Sequence, residues 1–276
     1  MTSDTILDIC THHQHFDRLL IRSHPDETHA VARDLQTAFE SSTSSCLGPL
    51  GRLPIELLWM IFRNLDVQSY FRLRHVNRKS RAICTAVPEY QAIATYGLEA
   101  LRGMLRTGLA QTITIGDLYK SLIRKTCEVC DKSGGFLFLP TATRCCFECI
   151  RTAPDMQVIS TSTLSMITKK STKRLFRVLG PELRTIPGSY STQGNPWRPK
   201  GLMSAKLAIS KSYSLGIRDR SAFRELLRRS DQESHRFMAS TAFPWYDPGS
   251  KRVESAVACK DVAFKWDTKF SVQEAL

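Results

Sequence analysis

Two C-x-x-C pairs, Cys127-x-x-Cys130 and Cys146-x-x-Cys149 with fifteen residues between them, constrain this chain more than any other feature. Each C-x-x-C turn presents two sulfurs to one ion, and a structural Zn²⁺ takes four ligands in a tetrahedron with Zn–S distances of about 2.3 Å. The spacing falls at the short end of the range for paired zinc knuckles. Residues 126–154 are therefore expected to fold as a small four-cysteine zinc module with a short β element. Gly134-Gly135 supplies a turn, Phe136 to Leu139 a short strand that Pro140 ends, and Cys146 leads into a short helix. Four thiolates leave no open ligand position, so the sequence predicts one structural zinc and no metal catalysis. Cys145 is a possible substitute for Cys146, but only Cys146 completes the second C-x-x-C. Arg124, Lys125, Arg144 and Arg151 flank the thiolates and are expected to offset their charge.

The same nine cysteines speak for a reducing compartment, where paired cysteines bind metal more readily than they form disulfides. No stretch approaches the ~18 unbroken apolar residues of a membrane span, and the start, MTSDTILDICTHHQHF, lacks the basic and then apolar blocks of a secretory leader. The expected location is intracellular, in cytoplasm or nucleus, with no membrane partner. No histidine lies between His75 and His235, so no general base accompanies the cysteines and the chain is not expected to be an enzyme. The net charge of +13 favours acidic partners, whether nucleic acid or acidic protein. Its densest run, Lys169-Lys170-Ser171-Thr172-Lys173-Arg174, reads as a solvated surface, with a nuclear address as the alternative.

Along the chain, residues 1–50 read as a poorly ordered segment. It holds His12, His13, His15, His24 and His29 without a frame for coordination, and one helix over Thr28 to Phe39. From Leu53 the pattern becomes helical. Pro54 suits the first turn, and Ile55, Leu58, Trp59 and Phe62 repeat on one face. Leu57, Ile61 and Leu65 form a second apolar row, leaving Glu56, Arg63 and Asn64 for water. A helix apolar on two sides needs burial on two sides. Asp66 and Asn77 are expected to cap helices reaching about His75 and Val87, with Pro88 as the stop. Three short helices make a core too small to stand alone, so this segment requires a neighbour or a partner. Residues 89–125 read as a helical linker, with helices over Glu89 to Tyr96, Leu98 to Arg106 and Asp117 to Arg124.

The residues Leu53-Pro54-x-Glu56-Leu57-Leu58, Ile61-Phe62, Leu65-Asp66, Arg72-Leu73-Arg74, Val76 and Arg78-Lys79 resemble an F-box. That motif docks substrate receptors onto the Skp adaptor of cullin-RING ubiquitin ligases. The resemblance implies that Leu53, Pro54, Leu57, Ile61, Leu65 and Leu73 lie near the adaptor, with Trp59 and Phe62 serving the internal core. The run GDLYKSL, CEVC, GGFLFLP and TRCCFEC further resembles the F-box and zinc-knuckle proteins abundant in filamentous fungi. FMASTAFPWYDP is similar to the same group. Relatives often carry another C-x-x-C near the end, but Cys259 has no such partner, so one zinc site is expected.

Residues 155–276 form a basic region of mixed helix and irregular structure, where the resemblance places target binding. Helices are expected over Met203 to Ser212 and Ser221 to Arg229, the second with Phe223, Leu226 and Leu227 inward. Trp197, Tyr213, Phe243, Trp245 and Tyr246 are aromatics able to stack on bases beside this charge. The reading is thus a mainly α chain: F-box bundle over 51–88, helical linker over 89–125, zinc module, and basic C-terminal region. Its function would be a non-catalytic substrate receptor that binds a Skp-type adaptor, through it a cullin, and a protein target. A basic zinc-containing nucleic-acid-binding or regulatory protein is the alternative.

Overall fold

Side-chain caps set the rhythm of the first half. Asp66 accepts from the Ser69 N–H at 2.9 Å, Asn77 from Ser80 at 2.8 Å and Thr114 from Asp117 at 3.0 Å. Each opens a short helix, and each cap is worth about 1 kcal/mol. The computed structural model describes residues 20–21, 25–38, 46–186, 199–258 and 264–267. Among them the chain is mainly α, with 13 helices and nine short strands, numbered here in chain order. The readings on His12, His13, His15, His24, Phe39, Trp197 and Cys259, and on the side chain of His29, fall outside the described residues.

The helices of the first half are α1 Pro25–Gln36, α2 Ile55–Phe62, α3 Val67–Arg74, α4 Arg78–Thr85, α5 Pro88–Tyr96, α6 Leu98–Thr107 and α7 Ile115–Ile123. Pro88 ends one helix by opening the next, at a first-turn position where its missing donor costs nothing. The α2–α3 corner is stitched to the loop before α7: the Val67 N–H donates to Ile113 O and the Ile115 N–H to Leu65 O, at 3.0 and 3.1 Å. Gly116 allows a close approach there, since a Cβ would stand 3.1 Å from the Arg63 carbonyl oxygen, tighter than an ordinary contact.

The cysteine segment and the C-terminal region share one sheet. Strand β1 Phe136–Phe138 lies between β2 Thr143–Cys145 and β6 Ser240–Ala242, antiparallel to both, with Phe136 opposite Cys145 and Ala242. Leu58, Phe62, Tyr70, Ile93, Leu101, Leu118, Phe138, Ile150, Phe237 and Phe243 belong to one continuous core. Leu20, Ile21 and Leu35 join it, and Ile21 bridges to Thr241.

Three buried arginines tie this core together, each clasping the carbonyls at another helix's end. Arg74 donates to the carbonyls of Asp34, Leu35 and Thr37 at the end of α1. Arg144 serves Ser121 and Leu122 at the end of α7 and also reaches the carbonyls of Gly134, Phe243 and Pro244. Arg236 serves Ile150, Arg151 and Ala153 around the end of α8 (Phe147–Thr152) while pairing with Asp231. The last carbonyls of a helix have no internal acceptor role and carry partial negative charge, so a guanidinium suits them in both respects.

A second, smaller core lies within residues 158–230. Strand β5 Gly201–Ser204 sits between β3 Val158–Ser160 and β4 Leu183–Arg184. Helices α9 Thr161–Thr168, α10 Thr172–Leu179, α11 Ala205–Ser210 and α12 Arg220–Ser230 pack Leu164, Leu175, Phe223 and Leu227 against this sheet's Ile159 and Met203. Two expectations are corrected here. Met203 is a strand residue opposite Ile159, and its helix starts only at Ala205, after the Ser204 cap. Leu226 is 47% exposed, because α12 needs only the stripe of Phe223 and Leu227 to meet α9 and α11. Helix α13 Glu233–Met238 leads into β6, and β7 Trp245–Asp247, β8 Arg252–Ala258 and β9 Phe264–Asp267 form a last antiparallel sheet.

Candidate functional site

Helix α2 follows Pro54 and carries Glu56 in its first turn, where a negative charge suits the helix dipole. Leu58 and Phe62 point into the core and Trp59 is half-buried against it. The opposite side stays in water. Leu53, Leu57, Met60 and Ile61 are 36, 45, 50 and 43% exposed, and with Asn64 and Leu65 they line an open apolar groove. Fully burying side chains of this kind is worth roughly 1.5–3 kcal/mol each, and a contiguous apolar patch marks an interaction site. Of the residues expected near an adaptor, the structure gathers Leu53, Leu57, Ile61 and Leu65 into the groove and leaves Pro54 exposed at its rim. Leu73, on α3, is half-buried against the core. Met60 was missed, although it stands three residues after Leu57 on the same helix.

The four cysteines come together from two turns. The Cys127 N–H donates to Lys132 O at 2.6 Å and the Asp131 N–H to Cys127 O at 3.0 Å, closing the first knuckle with Asp131 at φ 57°. The Val129 N–H points at Cys127 Sγ, 3.4 Å away. Gly134 lets Arg144 pass: a Cβ there would meet Arg144 Cγ at 2.8 Å and the Cys127 nitrogen at 3.1 Å. In the second knuckle Cys146 caps α8, its Sγ accepting from the Cys149 N–H at 3.4 Å. Cys130 Sγ and Cys146 Sγ are 3.6 Å apart, and all four sulfurs lie within 4.8 Å of one another. A tetrahedral ion with bonds of about 2.3 Å needs sulfurs ~3.8 Å apart, so this group can hold a metal ion.

The thiols share charge unevenly. A hydrogen bond with Cys146 pulls Cys127 down to about 4, and the same bond pushes Cys146 up, while burial raises Cys149 to about 12. A divalent cation would draw off the remaining protons. Cys145 stands apart. It ends β2, is wholly buried 3.7 Å from the Phe136 carbonyl, and has its thiol pushed up by that burial.

Each of the flanking cations has a partner of its own. Arg124 faces Asp131 at 3.9 Å, Arg151 pairs with Glu148 at 3.1 Å, and Lys125 pairs with Glu254 at 2.8 Å beneath the Trp245 ring. Arg144 is the clasp described above. Nothing local in the sequence shows that its acceptors come from residues 121–134 and 243–244. The aromatics proposed for base stacking are also engaged: Phe243 is core, Trp245 Nε1 donates to Ile123 O at 3.0 Å, and Tyr246 stacks on Tyr96 at 4.8 Å. Tyr213 alone among those described is open, at 91% exposed.

No helix among the described residues is long and apolar enough to cross a membrane. No curated protein and no solved structure matches the chain. Residues 50–91 match the family model of the F-box domain, and those residues hold both the groove and the core face of α2. F-box domains bind Skp-type adaptors, and F-box proteins are generally non-catalytic ligase subunits. The chain therefore carries an F-box domain, which suggests a substrate-recognition subunit of Skp/cullin/F-box ubiquitin ligases.

Proposed function

We propose that this chain is a non-catalytic substrate receptor: its F-box docks onto a Skp-type adaptor and through it a cullin, and its C-terminal region recruits a protein target. The observation that carries this is the open apolar groove of Leu53, Leu57, Met60, Ile61 and Leu65 on a helix whose other face is already core. Capture would work by proximity, holding the target near the ubiquitin carrier at high effective concentration. The four cysteines enclose one zinc. Its role is structural, joining two turns that present no open ligand position and fixing the sheet that links the middle of the chain to its C-terminal region. Immobilised Skp-type adaptor should retain the purified chain at micromolar concentration, and elemental analysis should find about one zinc per chain. A chain that passes the adaptor column unretained would overturn the receptor reading, and another metal or a metal-free protein would overturn the zinc assignment.

A further inference from the structure

The charge of this molecule is concentrated in one place. Residues 158–230 hold 15 Lys and Arg against 3 Asp and Glu, in a chain whose whole net charge is +13. Moreover, the three carboxylates are engaged by groups of their own lobe. Glu182 accepts from Thr161 Oγ1 and pairs with Arg184, Asp219 caps α12 through the Ser221 and Ala222 N–H groups, and Glu225 holds both Arg228 and Arg229. Of the other cations, Lys206 pairs with Asp155 and Lys211 donates to the Val178 carbonyl.

Five of them share one corner. Lys169 ends α9 in the left-handed region at φ 53°, and Ser165 Oγ donates to the Lys170 carbonyl at 2.6 Å, fixing the turn into α10. Leu175 and Leu179 are the buried positions of α10, so Lys173, Arg174 and Arg177 fall on its outer side. No side-chain ion pair engages Lys169, Lys170, Lys173, Arg174 or Arg177 among the described residues. The turn at residues 211–216 adjoins the same corner: Lys211 Nζ donates to Val178 O at 2.9 Å, and the Lys170 ammonium stands 3.7 Å from where a Cβ of Gly216 would be. That turn presents Tyr213, 91% exposed, and α9 presents Met166, 72% exposed, one helical turn before the lysine pair.

From this juxtaposition we infer that the α9–α10 corner is the docking surface for an acidic polypeptide segment that carries apolar side chains among its carboxylates. The inference deepens the receptor reading, on which it rests for the partner's role as target; the binding itself needs no adaptor. Like-charge cations with no internal partner repel one another and are relieved by carboxylates. Tyr and Met are types enriched at protein interfaces, and Met adapts to irregular apolar partners. A phosphate backbone would use the cations and leave Met166 without a role, and among the described residues the other aromatics suited to stacking on bases, Phe243, Trp245 and Tyr246, are already engaged within the chain.

The test uses the full metal-loaded chain and fluorescence anisotropy with three labelled probes of about equal length and charge. These are a peptide alternating Glu or Asp with Leu or Phe, a peptide alternating the same acids with Ser, and a single-stranded oligonucleotide. The acidic–apolar peptide should bind tightest. Lys173→Glu with Arg174→Glu and Arg177→Glu should weaken it by at least about tenfold, and the milder Lys173→Gln with Arg177→Gln by about threefold, at unchanged melting temperature. Met166→Ser with Tyr213→Ser should weaken the acidic–apolar peptide about fivefold and leave the acidic–serine peptide unchanged. Equal or tighter binding of the oligonucleotide, no binding of the acidic–apolar peptide, or no effect of the Met166 and Tyr213 changes would each overturn the inference. Adaptor capture, measured on the same samples, should be unaffected by all of these variants; its absence from the wild type would count against the receptor reading and leave the peptide result standing.

Discussion

Helices α2 and α8 are both short and both begin at a residue that fixes their first turn, yet they use their surfaces in opposite ways. Helix α2 buries Leu58 and Phe62 and leaves Leu57, Met60 and Ile61 in water. Helix α8 buries Cys149 and Ile150, turns its Cys146 cap toward three other thiols, and has its end clasped by Arg236. The first is held by one face and keeps the other for something outside the chain. The second has its inner face, its cap and its end all engaged by the chain itself, and only polar residues such as Glu148 and Thr152 face water. Stability and binding should therefore separate: changes around the cysteines should act on folding, and changes on the outer face of α2 should act on capture.

Metal removal should have the largest effect. Binding at a structural zinc contributes on the order of 10 kcal/mol to folding, so a chelator should unfold the cysteine segment and release β6 from β1, seen as loss of protection in hydrogen exchange at Phe136–Phe138 and Ser240–Ala242. Cys146→Ser should lose the metal, whereas Cys145→Ser should retain it, because Cys145 lies outside the group of four. Retention by the first and loss by the second would show that the register is off by one residue. Arg144→Leu comes next. It leaves several buried carbonyls without a donor, and the thermal midpoint should report a loss on the order of 3 kcal/mol, with adaptor capture intact at a temperature where the variant is folded.

A paired substitution sharpens the contrast within α2. Leu58→Ala should cost about 3 kcal/mol by emptying a core position, while Leu57→Ala, one residue earlier, should change stability by less than about 0.5 kcal/mol. Denaturant titration of the two variants distinguishes the faces. Equal losses would mean that the outer row is also part of the core.

The parts of this molecule written in short-range pattern were legible in the sequence. Asp66 and Asn77 announced their helices because a cap bonds three residues ahead, and the groove was foreshadowed by a second apolar row of Leu57, Ile61 and Leu65. The cysteine group followed from ligand spacing alone. What escaped were the long-range partners. Strand β6 joins β1 across about a hundred residues, and three-residue strands are too short to show alternation. The burial of Arg74, Arg144 and Arg236 left no sign either, since a guanidinium buried against helix-end carbonyls leaves no periodic trace. Met203 was assigned to a helix because its apolar neighbours fit either period, and only its pairing with Ile159 decides for a strand.

The outer face of α2 is where the account is most exposed to test. Isothermal titration of the metal-loaded chain with purified Skp-type adaptor should give one adaptor per chain. Leu57→Asp with Ile61→Asp, which places two unpaired charges in the groove, should weaken that binding by at least about 100-fold. The same variant should keep its metal content and its melting temperature, since neither side chain is buried. Undiminished affinity in the folded, metal-loaded double variant would contradict the assignment of this face to the adaptor.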